Sequence, residues 1–193
     1  VEYKDESTAL EPGLAESWSI APDGLTYTFN LRKGVKFHDG TPFNAEAAKY
    51  FFDRMIGPEK PSRAGLYAPL VDSTTVVDEY TVKVNMKAPF AFLLNNIAHS
   101  ASGIVSPAAH KAMGKDIARK PVGTGPFKFV EWVHGDHVTL VPNDSYWGGK
   151  PKIGLLSFTT MTDHKSRREQ ILAGAAGFTD TLLPSDWDEL KAN

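Results

Sequence analysis

The chain has 193 residues, with 21 Lys and Arg against 23 Asp and Glu and a formal net charge of −2. That balance excludes a general nucleic-acid binder, which needs a clustered basic surface to displace counterions. Hydrophobic residues make up 41 % and there is no cysteine, so the chain is globular in composition and has no disulfide, thiolate nucleophile or cysteine-type metal site.

No apolar run is long enough to span a bilayer. Val1-Glu2-Tyr3-Lys4 has neither the basic n-region nor the apolar h-region of a signal peptide. With no starting Met, the expectation is a trimmed or internal piece.

In the first third, Leu25, Tyr27, Phe29 and Leu31 alternate with Thr26, Thr28 and Asn30, the period of a half-buried strand. Asp23-Gly24 precedes this strand, and Asp39-Gly40 follows Val35-Lys36-Phe37-His38. Asp-Gly marks tight turns because glycine accepts a positive φ. Asn44 is placed to cap a helix in which Ala48, Phe51, Phe52 and Met55 form one apolar stripe, ended by Gly57-Pro58. Residues 57–68 read as a loop. A hairpin pairs 74–77 with 80–86 across Asp78-Glu79, with Tyr80, Val82, Val84 and Met86 on one face. Pro89 breaks that strand. A short helix is expected over 90–97, a short strand at Ile104-Val105, and a helix over 107–113 stopped by Gly114.

Pro121-Val122-Gly123-Thr124-Gly125-Pro126 is a composition break, and a domain boundary is expected near Lys120. Beyond it come strands at 127–133 and 137–141 about a His134-Gly135-Asp136 turn. A turn-rich aromatic stretch (143–150) and a strand (155–161) follow. Asp163 caps a helix to about Ala173, and a last helix over 184–191 is capped by Ser185.

Catalytic patterns are absent: there is no Gly-x-Ser-x-Gly, phosphate loop or dinucleotide fingerprint. Gly123-Thr124-Gly125 reads as a rigid interdomain turn. His134-Gly135-Asp136-His137 is the one close histidine cluster and is able to offer two or three metal ligands. No further ligand is near in sequence, so it reads as a solvated turn. His38 and His99 read as hydrogen-bonded structural histidines. Asp186, Asp188 and Glu189 decorate a helix start, and the Asn143-Asp144-Ser145 sequon is short enough to arise by chance. Trp132, Tyr146 and Trp147 either stack on a ligand or seal a small β-rich core, and the core is the reading taken. No cofactor and no metal are expected.

Four ordered segments resemble one family. Leu10-Glu11-Pro12-Gly13-Leu14-Ala15-Glu16-Ser17-Trp18 followed by Asp23-Gly24-Leu25-Thr26-Tyr27-Thr28-Phe29 is similar to the opening of the peptide/nickel-type (family 5) extracellular solute-binding proteins of ABC importers. Leu31-Arg32-Lys33-Gly34-Val35-Lys36-Phe37-His38-Asp39-Gly40-Thr41-Pro42-Phe43 resembles the family's most recognisable stretch. Pro121-Val122-Gly123-Thr124-Gly125-Pro126-Phe127 and Asn143-Asp144-Ser145-Tyr146-Trp147 follow in the expected order. Ile104-Val105-Ser106-Pro107-Ala108-Ala109 looks most like the dipeptide- and glutathione-binding branches.

The resemblance implies an α+β or α/β chain. It would be part of a periplasmic-binding-protein type II fold, with mixed β-sheet subdomains and short helices. Residues 1–120 would be the extra subdomain of the first lobe and 121–193 part of its main domain. The chain would begin after the lobe's first strand and stop before the crossover to the second lobe. The implied function is capture of a small peptide, glutathione-like molecule or similar solute by hinge closure, with delivery to membrane permease subunits from the periplasm or a lipid anchor. No enzyme activity and no nucleic acid are implied. Tyr67 and the segment carrying His99, Ser100 and Ser102 lie in loops able to face the cleft; ordinary loop residues are the other reading. The family's Gly-Glu-x-Asp-like stretch is replaced by Gly174-Ala175-Ala176-Gly177. Exposed sheet edges and interlobe surface imply self-association. The alternatives are a ligand-sensing or interaction module of the same fold, and a metal-dependent hydrolase using His134 and His137.

Overall fold

The computed structural model describes residues 1–4, 7–59 and 61–186. Its centre is a four-stranded antiparallel sheet of β3 (Ala15–Ile20), β4 (Thr26–Leu31), β5 (Val71–Asp78) and β6 (Thr81–Met86), in the order β3-β4-β6-β5. The alternation in the sequence sets its inner face. Tyr27, Phe29 and Leu31 of β4 are buried, as are Val82, Val84 and Met86 of β6. Tyr27 stands opposite Val84 and Phe29 opposite Val82, so these aromatic–β-branched pairs share one face.

Helix α1 (Ala45–Ile56) covers that face with the predicted stripe of Ala48, Phe51, Phe52 and Met55, all buried. Asn44 Oδ1 accepts the Ala47 amide at 3.1 Å, the expected cap. At the other end, a Cβ on Gly57 would stand 2.7 Å from the Asp53 carbonyl, so the exit path needs glycine.

A small ladder of β1 (Glu2–Tyr3) and β2 (Leu10–Glu11) lies beside α2 (Leu93–Ala98). The helix expected over 90–97 starts three residues late, at Leu93; before it the Phe90 carbonyl accepts from the Tyr27 hydroxyl at 2.8 Å. Ile104-Val105 forms no ladder; beside it the Ser106 amide bonds the Val122 carbonyl at 2.8 Å. Helix α3 (Pro107–Met113) begins with Pro107 and is capped by Ser106 Oγ, which accepts the Ala109 amide at 3.1 Å.

Past the proline- and glycine-rich segment, β7 (Phe127–Val133), β8 (His137–Pro142) and β9 (Leu156–Thr159) form a second antiparallel sheet in the order β7-β8-β9. It is followed by α4 (His164–Leu172), capped by Asp163 Oδ2 on the Ser166 amide at 2.7 Å. The last predicted helix appears as a 3-10 turn at Pro184–Asp186; its remainder, with Asp188 and Glu189, lies outside the described residues. Sheets of antiparallel strands with short helices make this an α+β architecture.

The two sheets differ in burial. From residue 121 onward, Thr124 and Asn143 are the buried residues among those described, and α4 buries none of its side chains. Registration aligns Phe129, Leu140 and Leu156, and next to them Trp132, Val138 and Phe158. This gives one apolar face on which Trp132 is 45 % and Phe158 44 % exposed.

The turn at His38-Asp39-Gly40 joins the two parts. Gly40 has φ +85°, the value an Asp-Gly turn requires. The His38 amide donates to the Gly123 carbonyl at 2.8 Å. Its ring does the rest: Nε2–H donates to the Gly125 carbonyl at 3.0 Å, and Nδ1 accepts the Gly123 amide at 3.3 Å. That pattern specifies the neutral Nε2–H tautomer. Asp39 turns to the helix side, where its Oδ2 accepts from Ser106 Oγ at 2.6 Å and its Oδ1 accepts the Thr41 amide and hydroxyl.

Replacing His38 by Ala removes both ring bonds and leaves the Gly123 amide without its acceptor. The expected cost is about 1–2 kcal/mol in chemical denaturation, with faster amide exchange at Gly123 and unchanged exchange in α1. For Asp39, burial pushes the carboxyl up, but the bonds from Ser106 and Thr41 outweigh it and hold the group below its ordinary 3.8. The stabilisation is therefore present above the unfolded-state pKa and is lost as pH falls through the lower folded-state value. Carbon NMR should place the Asp39 midpoint below that of an ordinary aspartate, and Ser106→Ala should raise it.

Candidate functional site

Tyr67 follows a 3-10 turn at Ala64–Leu66 and is fully buried, its ring edge-on to Phe51 and Phe52 of α1 at 5.5 and 5.8 Å. Its hydroxyl lies 2.6 Å from Ser102 Oγ and 3.0 Å from the Asn96 carbonyl. The Ser102 hydroxyl donates to that same carbonyl at 2.6 Å. With the serine proton so committed, Tyr67 donates to Ser102, and three oxygens close a buried ring. The Asn96 side chain extends the network by donating to the Leu66 carbonyl at 2.9 Å. Burial lifts the Tyr67 phenol above its ordinary pKa, and the bond to Ser102 offsets part of that rise, so the ring holds a neutral phenol at physiological pH.

The structure thus separates the four predicted site residues into two pairs. Tyr67 and Ser102 are inside and bonded to each other. His99 and Ser100 are exposed on the same loop, where the His99 amide bonds the Asn95 carbonyl and the Ser102 amide bonds the His99 carbonyl. A shallow apolar depression of about 60 Å3 adjoins Ser102, Ile97 and Ile104. Chemically, the inner pair fixes the loop and the outer pair is presented to solvent at a fixed position.

Other candidates find different places. His38 is hydrogen-bonded at both ring nitrogens, as the structural reading expected. His137 pairs with Asp136 at 2.9 Å and Glu131 at 3.4 Å, and the bond to Asp136, then that to Glu131, raises its pKa above 6.5. Among the described residues no three such side chains are arranged to hold a metal ion. The sequon residue Asn143 is buried, donating to the Gly125 carbonyl at 3.1 Å and accepting the Ser145 amide.

The three aromatics separate. Trp147 packs against the first core with the Arg32 guanidinium 4.2 Å over its ring, and Tyr146 lies beside it, whereas Trp132 stands in the open with Arg119 above it. Gly174-Ala175-Ala176-Gly177 closes α4, with the Ala175 and Ala176 amides both on the Gln170 carbonyl. It offers no carboxylate at that edge. The hydroxyl ring escaped sequence reasoning because its members lie 35 positions apart with no shared pattern.

Tyr67→Phe is expected to cost about 0.5–1.5 kcal/mol and to speed amide exchange at Ser102, leaving the loop in place but less firmly held. Hydrogen-exchange mass spectrometry on peptides covering 99–105 reads this directly.

Residues 9–193 match the family described as bacterial extracellular solute-binding proteins, family 5, middle region. The glutathione-binding protein GsiB of Pectobacterium atrosepticum is 41 % identical over 175 residues, covering 90 % of this chain and 34 % of that protein. The chain therefore spans about a third of the length of the curated relatives it matches. Among solved structures, DppA of Helicobacter pylori in complex with the peptide STSA superposes with a TM-score of 0.89 at 28 % identity, over 100 % of this chain and 42 % of that one. AppA of Bacillus subtilis in complex with a nonapeptide gives 0.86 at 26 % identity, over 98 % and 38 %. Among the described residues no helix is long and apolar enough to cross a membrane. On these grounds the chain belongs to the bacterial extracellular solute-binding proteins of family 5.

Proposed function

We propose that this chain supplies part of the solute-capturing lobe of an ABC importer's binding protein, on the periplasmic side, for a short peptide or glutathione-like ligand passed on to the permease. The observation that carries this reading is the 41 % identity to a glutathione-binding protein. The superposition on a peptide complex of DppA supports it. The loop of His99 and Ser100, held from behind by Tyr67 and Ser102, is the candidate ligand-facing surface; a preformed polar rim suits peptide termini. The division near Lys120 is part of the same proposal and is supported by the contrast in burial on its two sides. Ligand would bridge two lobes and stabilise the closed form by its differential affinity. Taken alone, the chain leaves the half-exposed apolar face of β7-β8-β9 open and is expected to self-associate through it.

Titration calorimetry tests the reading. A receptor at the length of the relatives should bind glutathione or a dipeptide, and the 193-residue chain alone should bind at least 100-fold more weakly, because its cleft has one wall. In the receptor, His99→Ala with Ser100→Ala should weaken binding about tenfold with the Tm unchanged. A receptor indifferent to glutathione, dipeptides and oligopeptides would sink the proposal.

A further inference from the structure

A cleft of about 660 Å3 shares no residue with the loop of His99–Ser102. One of its walls contains Lys128, Phe129, Val130, Glu131 and Trp132, five successive residues of β7. Successive side chains of a strand point to opposite faces. β7 bulges between Phe129 and Glu131, but Lys128 and Phe129 on one side of the bulge and Glu131 and Trp132 on the other still point to opposite faces, so a cavity touching all of them runs along the strand's edge. Among the described residues β7 pairs with β8 alone, so this edge presents unpaired backbone N–H and C=O groups to the cleft. The facing wall includes the segment 119–122.

The charges along the cleft are unbalanced. Arg119, Lys120 and Lys128 make no ion pair with any described residue. Two carboxylates also stand on its walls, Asp39, held as an anion by Ser106 and Thr41, and Glu131, paired with His137, so the three cations outnumber them. Arg119 stands 5.8 Å over the ring of the half-exposed Trp132, which adds an amphipathic platform beside the cations.

We propose that the outer edge of β7 is a docking groove for an extended acidic segment of a partner protein. The segment adds as a fourth strand: the open backbone edge supplies ladder hydrogen bonds, Arg119, Lys120 and Lys128 take its carboxylates, and Trp132 with Val130 takes its alternate apolar side chains. Charge complementarity selects an acidic occupant, and the row of five successive strand residues selects an extended one.

The test uses the 193-residue chain and a fluorescein-labelled, amidated heptapeptide of alternating Glu and Val, read by anisotropy. Binding is expected, with new hydrogen-exchange protection confined to 127–133. Lys120→Glu with Lys128→Glu should weaken it at least tenfold; both are surface cations, and a retained Tm checks their fold. A peptide N-methylated at alternate residues keeps the charge, cannot form the ladder and should bind at least tenfold more weakly. Equal binding of a Lys/Val peptide or of the N-methylated peptide would overturn the proposal. So would protection elsewhere, or full competition by inorganic phosphate at the peptide's own concentration, which would mark a simple anion site. In the longer receptor, the charge-reversed variant should leave glutathione binding unchanged, so a failure here is distinct from a failure of the transport reading.

Discussion

Two neighbouring side chains, His38 and Asp39, tie together segments that are far apart in sequence. His38 holds the backbone of Gly123 and Gly125, and Asp39 holds Ser106, whose amide in turn bonds Val122. The crossing segment between the two sheets is thereby anchored from both sides of one tight turn. The bonds within 121–126 are to backbone groups, whereas Asp39 reaches the Ser106 hydroxyl. The clasp also depends on protonation. Only a neutral imidazole with its proton on Nε2 both donates to Gly125 and accepts from Gly123.

This anchoring matters because the two sheets do not have equal means. The first is a sheet–helix sandwich with a continuous buried core from Ala15 to Leu94. The second carries aromatic and aliphatic residues on a face that stays half exposed, beside a helix with no buried side chain. Hydrophobic burial of about 25 cal/mol per Å2 stabilises the first directly. The second draws much of its order from polar bonds, some of them ties to the first part, the His38 clasp and Trp147 under Arg32, and others internal, the Asn143 bonds to the Gly125 and Pro126 carbonyls. Regions with few buried apolar contacts open at lower free energy than the core, so local opening should be concentrated beyond residue 120.

The sequence made local elements legible wherever one short-range rule decided the outcome. Asn44, Asp163 and Ser106 cap helices as small polar residues do, and Gly114 stops α3 at φ +57°. The alternation of β4 and β6 survived because both strands lie inside the sheet with one face on the core. Ile104-Val105 failed as a strand although its residues favour one, because no partner strand lies alongside; pairing is a tertiary fact that β-propensity does not contain. At the candidate site, no motif singled out Tyr67 or the 99–102 loop; the resemblance offered them only as loops able to face a cleft, and the sequence was silent on which residues face inward. That depends on Tyr67 being trapped between Phe51 and Phe52, a contact between an irregular loop and a helix.

The buried hydroxyl ring bears on what such a loop can contribute to binding. A receptor that closes on a solute gains only the difference in affinity between its states, and any ordering of the lobe on binding subtracts from that difference. Tyr67, Ser102 and the Asn96 carbonyl order the loop during folding, when the aromatic burial against Phe51 and Phe52 offsets the entropy. What remains outside, His99 and Ser100, is then a rim whose backbone is already placed. For the peptide ligands proposed above, such rigidity counts for more than side-chain variety, because peptide termini and backbone amides recur in every ligand while side chains do not. On the function proposed above, a phenol inside the fold serves recognition by fixing the loop, although its hydroxyl is not offered to solvent.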